Sequence, residues 1–102
     1  MQNLKTARTI TKDHPALAGH FPGNPVVPGV LILDCVLQAL HDWQPDIQAT
    51  RVQDAKFTSP LLPDEPMQIR IELRNERRAS FECRVAERVI AQGRLTIQRN
   101  AA

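Results

Sequence analysis

Hydrophobic and polar residues alternate through the carboxyl-terminal half of the chain. A period of two is typical of β-strands that bury one face and expose the other. The hydrophobic positions of three such stretches are Met67, Ile69, Ile71 and Leu73, then Phe81, Cys83 and Val85, then Ala91, Gly93, Leu95 and Ile97. The polar segments 75–79 and 87–89 lie between them and are short enough for hairpin turns. The pattern predicts three consecutive antiparallel strands.

A hydrophobic run without this alternation precedes the strands. Segment 29–41 follows Pro28, which suits the first turn of a helix because its missing N–H needs no partner there, and it ends before Pro45. The segment therefore predicts a helix. Its hydrophobic residues cover more than one face, which predicts a helix enclosed by other structure. These residues are Val30, Leu31, Ile32, Leu33, Val36, Leu37 and Leu40.

Two weaker strand candidates, segments 50–58 and 4–10, complete the predicted fold. A strand, a loop, a buried helix and several strands in this order predict an α+β domain with one helix packed on an antiparallel sheet. The 102 residues have room for a single domain, residues 1–102. So small a domain cannot bury an almost wholly hydrophobic helix alone, so we also expect a dimer.

Composition and charge narrow the function classes. The chain is 42% hydrophobic and 24% charged, as ordinary folded proteins are, and its net charge of +2 is too small for a general nucleic-acid binder. Cys35 and Cys83 have neither disulfide nor zinc spacing, which indicates a reducing compartment. The amino terminus has no signal-peptide pattern, and no hydrophobic stretch approaches the roughly 20 residues that span a bilayer. We expect a cytoplasmic protein that binds neither nucleic acid nor membrane.

Glycine and proline concentrate in the segment before the helix. Three of the four Gly and four of the eight Pro lie between residues 15 and 29. Gly permits unusual backbone conformations and Pro fixes φ, so this composition predicts a rigid, irregular loop. Such loops often hold functional residues.

Three residues in and after this loop have the chemistry of an active site. His20 can exchange a proton near neutral pH. Asp34 is a charge inside the apolar helix, where ionisation is costly without a partner or a catalytic purpose. Gly29 lies at the helix amino terminus, where free N–H groups and the helix dipole can polarise a carbonyl oxygen. A base, an acid and an oxyanion donor are therefore all present.

The segment that holds these residues resembles a known family. It reads His20-Phe21-Pro22-Gly23-Asn24-Pro25-Val26-Val27-Pro28-Gly29-Val30-Leu31, with Asp34 and Gln38 following on the helix. This string is similar to the active-site segment of the hotdog-fold 3-hydroxyacyl acyl-carrier-protein dehydratases of fatty-acid synthesis. The similarity continues more loosely through Ala55-Lys56-Phe57 and residues 60–63. It implies a long helix wrapped by a curved antiparallel sheet, and a dimer with two active sites at the subunit interface.

The resemblance also implies a role for each matching residue. His20 would be the base that removes the α-proton of a 3-hydroxyacyl thioester, and Asp34 of the partner subunit would protonate the leaving hydroxyl. Gly29, with Val30 beside it, would donate an N–H to the thioester carbonyl oxygen. The supporting residues would be Val26, whose carbonyl orients the His20 ring, Gln38, whose amide holds Asp34, and also Phe21 and Pro28. The product is a 2-enoyl thioester, the substrate is carried on the phosphopantetheine arm of an acyl carrier protein, and neither a cofactor nor a metal is expected.

The chain also departs from the family pattern. Only 19 residues precede His20, so the amino-terminal helix and strand that help to line the acyl tunnel in the family are expected to be shortened or absent. Cys35 stands where Ala is common, and Pro63-Asp64-Glu65 replaces a Pro-Gly-Asp turn. The resemblance implies a role in fatty-acid or polyene-type biosynthesis, and these changes predict a divergent member that serves a specialised polyene or secondary-metabolite pathway.

Each candidate residue has a structural interpretation as well. His20 alone would most often be a loop histidine, and Asp34 with Gln38 one helical turn later would form a hydrogen-bonded pair that fixes dimer register. Cys35 is expected to be a small core residue, because burial raises the pKa of a thiol. The residues expected at the surface are His14 and His41, and the one expected to pack at the helix end is Trp43.

Charge is distributed unevenly along the chain. Residues 68–102 contain eight Arg against four Glu, whereas residues 1–67 contain five basic and seven acidic residues. The surplus of arginine over glutamate in residues 68–102 has two interpretations. The arginines either lie on solvated strand faces or form a basic patch, including Arg77 and Arg78, that docks an acidic carrier protein.

Two other functions stay open on the sequence. Hotdog domains also hydrolyse acyl thioesters, and a fold alone does not fix a function. A non-catalytic hotdog subunit would instead bind acyl chains or complete a partner's active site, within a homodimer, a higher oligomer or a hetero-oligomer. Hydrolysis would release free carrier or coenzyme A thiol, which dehydration would not.

Overall fold

The computed structural model describes residues 2–17 and 26–100. In chain order its elements are β1 (Asn3–Arg8), a short 3-10 helix (Pro15–Leu17), α1 (Gly29–Trp43), β2 (Ile47–Phe57), β3 (Met67–Leu73), β4 (Arg78–Val85) and β5 (Arg88–Arg99). The predicted helix and all five predicted strands are present, so the expected α+β arrangement is confirmed. Within the described ranges no helix is long and apolar enough to cross a membrane.

The strands form one antiparallel sheet in the order β1-β3-β4-β5-β2. Strands β3, β4 and β5 follow one another as a meander, and β1 and β2 form its two edges. Helix α1 contacts both edge strands as well as β3. A flat sheet of five strands is roughly 19 Å wide, too wide for one helix to reach both edges. The sheet therefore curls around the helix.

The face of the sheet toward α1 forms the hydrophobic core. Alternate residues of β3 and β4 are buried on this face, as the period-two pattern predicts. The helix contributes one buried stripe, made of Ile32, Val36, Ala39 and Leu40. On the opposite side of the helix Val30 is 70% exposed. One chain thus encloses its helix less than the hydrophobic composition predicts, because one sheet covers one side.

Both the helix end and one turn differ from the predicted boundaries. The helix continues to Trp43, two residues beyond the predicted end at His41. The chain reverses between β4 and β5 at Ala86 and Glu87, so that β5 begins before residue 91. Ala86 has a left-handed φ of 53°, and no Gly or Asn marks this turn in the sequence.

Strand β2 passes very close to β5 at Gly93. Two register shifts interrupt the pairing of these strands. An ideal Cβ on Gly93 would lie 2.3 Å from the carbonyl oxygen of Asp54 and 2.8 Å from the ring of Phe81. Because the Asp54 oxygen belongs to the backbone, it cannot move aside without shifting the whole strand. Only glycine permits this approach.

We predict that Gly93→Ala lowers the free energy of unfolding by about 2 to 4 kcal/mol, since the new methyl group forces β2 away from β5. Urea denaturation followed by circular dichroism measures the change. The matched control is Gln92→Ala at the exposed neighbouring position, which should change stability by less than about 0.5 kcal/mol. Equal midpoints for the two variants would contradict the close approach.

Candidate functional site

At the amino terminus of α1, the first two N–H groups have no hydrogen-bond acceptor among the residues that the structure describes. Pro28 precedes the helix with a φ of −61° and a ψ of 145°. Its carbonyl accepts the N–H groups of Leu31 (3.0 Å) and Ile32 (3.4 Å). The N–H groups of Gly29 and Val30 come before these bonds and have no acceptor within the helix. Together with the positive end of the helix dipole, they can stabilise negative charge on a carbonyl oxygen.

An open cleft of about 420 Å³ begins at this helix terminus. Its apolar walls come from the segment before the helix, from the helix itself and from the chain after β2. The apolar residues of these walls are Val26, Val27, Ile32, Phe57, Pro60 and Leu61, and the polar Thr58 and Ser59 line the cleft beside Phe57. An apolar cleft that ends at free N–H groups suits a ligand in which a hydrocarbon chain is joined to a carbonyl group.

Phe57 covers the helix terminus. An ideal Cβ on Gly29 would lie only 2.9 to 3.2 Å from three atoms of the Phe57 ring. The ring is nevertheless 47% exposed, so it forms part of the cleft mouth. Sequence reasoning gave Phe57 no site role. Its signals are an aromatic residue at the end of β2 and its place in the Ala55-Lys56-Phe57 stretch of the family resemblance, but nothing in its spacing connects it to Gly29.

The segment before the helix is held by the chain after β2. The N–H of Val27, which is buried, donates to the carbonyl of Leu61 (2.9 Å). Val26 and Pro28, two of the predicted supporting residues, are half-buried on either side of Val27. His20 and Phe21 lie outside the described residues, so their roles stay predictions.

Asp34 and Gln38 meet on the open side of the helix. Gln38 Nε2 donates to Asp34 Oδ2 at 2.9 Å, and both side chains are exposed. They share this side with Val30, because positions four residues apart lie on one helix face. The carboxylate expected inside an apolar helix is therefore open to solvent in a single chain, since the sheet covers the opposite side.

Both thiols are poor nucleophiles. Cys83 is fully buried, and burial raises the pKa of its thiol to about 12. Cys35 is half-buried, and its pKa is raised by burial first and by the nearby Asp34 carboxylate second. Both side chains are therefore uncharged at neutral pH, in agreement with their assignment as packing residues.

The remaining candidates take structural positions. His41 is exposed and Trp43 is half-buried against the core, as predicted. His14 is half-buried in the turn before the 3-10 helix, where its carbonyl accepts the N–H of Leu17 (3.0 Å). In the described part of the chain, no three His, Cys, Asp or Glu side chains are grouped so that they could hold a metal ion.

Arg77 and Arg78 lie far from the cleft in a single chain. They follow β3, whose last residue, Leu73, donates its N–H to the carbonyl of Gln2 (3.0 Å). The Gln2 side chain in turn accepts a bond from Gln44 Nε2, just after the carboxyl end of the helix (2.9 Å). A helix of 15 residues is about 22 Å long, so a thioester arm entering beside these arginines would have to pass along it to reach its amino terminus.

Curated proteins similar to this chain are dehydratases. The chain is 34% identical over 84 residues to the 3-hydroxyacyl-(acyl-carrier-protein) dehydratase FabZ of Actinobacillus succinogenes, a match that covers 74% of this chain and 56% of that protein. It is 37% identical over 82 residues to FabZ of Myxococcus xanthus, covering 71% of this chain and 54% of that protein. The chain thus spans little more than half the length of these curated relatives.

A solved structure and a family model agree with this likeness. The dehydratase heterocomplex ApeI:P from Xenorhabdus doucetiae has a TM-score of 0.83 to this chain at 21% identity, covering 95% of this chain and 88% of that one. The hotdog fold implied by the sequence is thereby confirmed. The model of the ApeI-like family, described as ApeI dehydratase, matches residues 1–94. Since this match includes nearly the whole chain, the chain belongs to the ApeI-like dehydratase family.

Proposed function

We propose that this chain dehydrates 3-hydroxyacyl thioesters carried by an acyl carrier protein and releases 2-enoyl thioesters. The open amino terminus of α1, at the end of an apolar cleft, carries the proposal. Removal of the α-proton of a thioester places negative charge on its carbonyl oxygen, and the free N–H groups of Gly29 and Val30 suit that oxygen. Membership of a dehydratase family supports the same reaction.

Two proton transfers complete the proposed reaction. His20 takes the proton from C2, the electron pair forms the C2–C3 double bond, and the bond between C3 and its oxygen breaks. Asp34 of the partner subunit, as the neutral carboxylic acid, gives its proton to the leaving hydroxyl, which departs as water and leaves Asp34 as the carboxylate. The Val26 carbonyl orients the His20 ring, and Gln38 holds the Asp34 carboxylate through the 2.9 Å bond described above.

The open side of the helix supports an assembly of two chains. Val30 on the helix and Val52 on the edge strand β2 are exposed hydrophobic residues. Such surface in a small domain favours contact with another subunit. We propose a homodimer in which Asp34 of one chain meets the His20 segment of the other. The heterocomplex named for the similar ApeI:P structure makes a hetero-oligomer the alternative.

Light scattering at micromolar concentration should give a mass about twice that of the 11.5 kDa chain. Val30→Asp should shift the protein toward single chains, because it places a second carboxylate beside Asp34 in the buried contact. The control, Gln92→Asp on the exposed face of the sheet, should stay dimeric. A wild-type mass equal to one chain would contradict the homodimer.

The decisive test is mass spectrometry of acyl-carrier-protein thioesters after incubation with the pure protein. We expect 3-hydroxyacyl thioesters to lose one water, and 2-enoyl thioesters to gain one in the reverse direction. His20→Ala and Asp34→Asn should each reduce the rate by roughly 100-fold or more, because each removes one proton-transfer group.

Three results would contradict this assignment. Release of free carrier thiol would identify a thioesterase. Inert substrates of several acyl lengths would favour a non-catalytic subunit, or one that needs a different partner chain. Loss of water that persists in both variants would move the chemistry away from His20 and Asp34.

Gly29→Ala should lower kcat/KM by roughly tenfold, because the added methyl group pushes the Phe57 ring into the path of the thioester. Since the clash is with a side chain, the double variant Gly29→Ala/Phe57→Leu should recover most of the lost activity. Steady-state kinetics on the wild-type protein, Gly29→Ala and the double variant measure the effect. Phe57→Leu alone is the control. A double variant no better than Gly29→Ala would show that the ring is not the obstacle.

A further inference from the structure

We infer that Glu65 and Arg88 form a clamp that positions the amino terminus of α1, so that both are positioning residues for the dehydration proposed above. Neither residue touches the cleft. The inference rests on the proposed function for its effect on turnover, whereas the clamp itself rests on a continuous set of hydrogen bonds. These bonds connect the start of β5 to the residue two positions before Gly29.

The first connection joins β5 to the loop 58–66 between β2 and β3. Arg88 Nη2 donates to both Glu65 Oε1 and Oε2, each at 2.9 Å. Glu65 Oε1 also accepts the N–H of Leu62 at 2.9 Å. The carboxylate therefore bonds at once to a strand and to the backbone of the loop. Bonds to charged groups of this kind are stronger and better defined in geometry than neutral ones.

The second connection runs through a single peptide group. The N–H of Leu62, which bonds to Glu65, and the carbonyl of Leu61 belong to the same planar peptide unit. That carbonyl accepts the N–H of Val27 at 2.9 Å. Because the peptide is planar, the carboxylate that fixes its N–H end also fixes the direction of its carbonyl end. The position of Glu65 thus determines where Val27 can bond.

The third connection is the short chain from Val27 to the helix. Pro28 follows Val27, and its ring restricts φ, which is −61° here. Gly29 is next, with its free N–H at the end of the cleft. A change in the direction of the Leu61 carbonyl would therefore be passed along two residues to the oxyanion donor.

The rest of the loop is anchored independently. The N–H of Asp64 donates to the carbonyl of Ile10 (2.8 Å), and Asp64 Oδ1 accepts the N–H of Lys12 (3.2 Å). Asp64 has a φ of 69°, a conformation that Gly and Asp tolerate better than most residues. This explains how Asp stands where the family pattern has Gly. With one side of the loop fixed after β1, Glu65 connects the other side to β5.

The charge state and the exposure of the pair define what the clamp does. The Leu62 N–H first, and the Arg88 guanidinium second, hold the pKa of the Glu65 carboxyl below its ordinary value. Glu65 is therefore ionised at neutral pH. The side chains of Glu65 and Arg88 are 26% and 41% exposed, and ion pairs this accessible add little to global stability. We therefore expect the loss of this ion pair to change the local geometry of loop 58–66 and to leave the free energy of unfolding nearly unchanged.

The chain offers a matched control for this pair. Arg84 bonds to Glu82 (2.6 Å) and is also 41% exposed, but its partner lies on its own strand and contacts no part of loop 58–66 in the described structure. We therefore compare Arg88→Met with Arg84→Met, and add Arg88→Lys, which keeps the charge. The first measurement is amide hydrogen exchange at Val27 and at the buried Ile71 on the interior strand β3. The second is kcat and KM on a 3-hydroxyacyl thioester of acyl carrier protein.

Arg88→Met should speed exchange at Val27 by roughly tenfold while exchange at Ile71 stays unchanged. It should also lower kcat by roughly tenfold with KM changed by less than about twofold, because the oxyanion donor is misplaced rather than the binding cleft removed. Arg88→Lys, which keeps the charge, should bring both the exchange rate at Val27 and kcat most of the way back to the wild-type values. Arg84→Met should match the wild-type protein.

Unchanged exchange at Val27 in Arg88→Met would overturn the clamp. So would a parallel rise at Val27 and Ile71, which would mean general destabilisation, or an equal effect of Arg84→Met. Normal kcat with fast Val27 exchange would overturn its connection to turnover. A wild-type protein inactive on hydroxyacyl thioesters would overturn the proposed function alone, because exchange at Val27 decides the clamp without any turnover.

Discussion

The packing of one helical stripe into the curled sheet determines where the rest of this protein can lie. Val36 and Leu40 in that stripe are 0% and 1% exposed. Each such side chain contributes about 1.5 to 3 kcal/mol through burial, so the helix cannot rotate about its axis without losing several of them. The fixed rotation turns Asp34 outward. The same packing sets the helix along its axis, with its first residue under Phe57.

The site consequently combines a rigid part with an open one. The proposed oxyanion donors belong to the first turn of a helix, whose backbone is held by its own hydrogen bonds and by the core. The Asp34 carboxylate, which would complete the chemistry, lies on the side of the helix away from the sheet of its own chain and is exposed to solvent. A second subunit would bring the acid to the donors without disturbing either, because each is already held by its own chain. The proposed division of the site between two chains therefore follows from the geometry of one.

Local sequence signals were sufficient to predict the α+β arrangement and the helix that begins at the site, whereas the hotdog fold with its curved sheet was implied by the family resemblance. Alternation located three strands, and proline and glycine located the helix start, because these signals are local in sequence. Contacts between distant residues have no such signal. The ring of Phe57 over Gly29 and the pairing of Glu65 with Arg88 depend on how the sheet curls, which no single segment encodes. The turn at Ala86 was misplaced for a different reason, since its left-handed residue is neither Gly nor Asn.

The strand order has a consequence for how the molecule folds. Strands β3, β4 and β5 pair with their sequence neighbours, so this meander can form early through short loops. The edges need distant partners, since Asn3 pairs with Glu72 and Ile47 with Arg99. The cleft lies between the helix terminus and the chain after β2, both outside the meander. A chain caught midway would therefore have most of its sheet and none of its cleft.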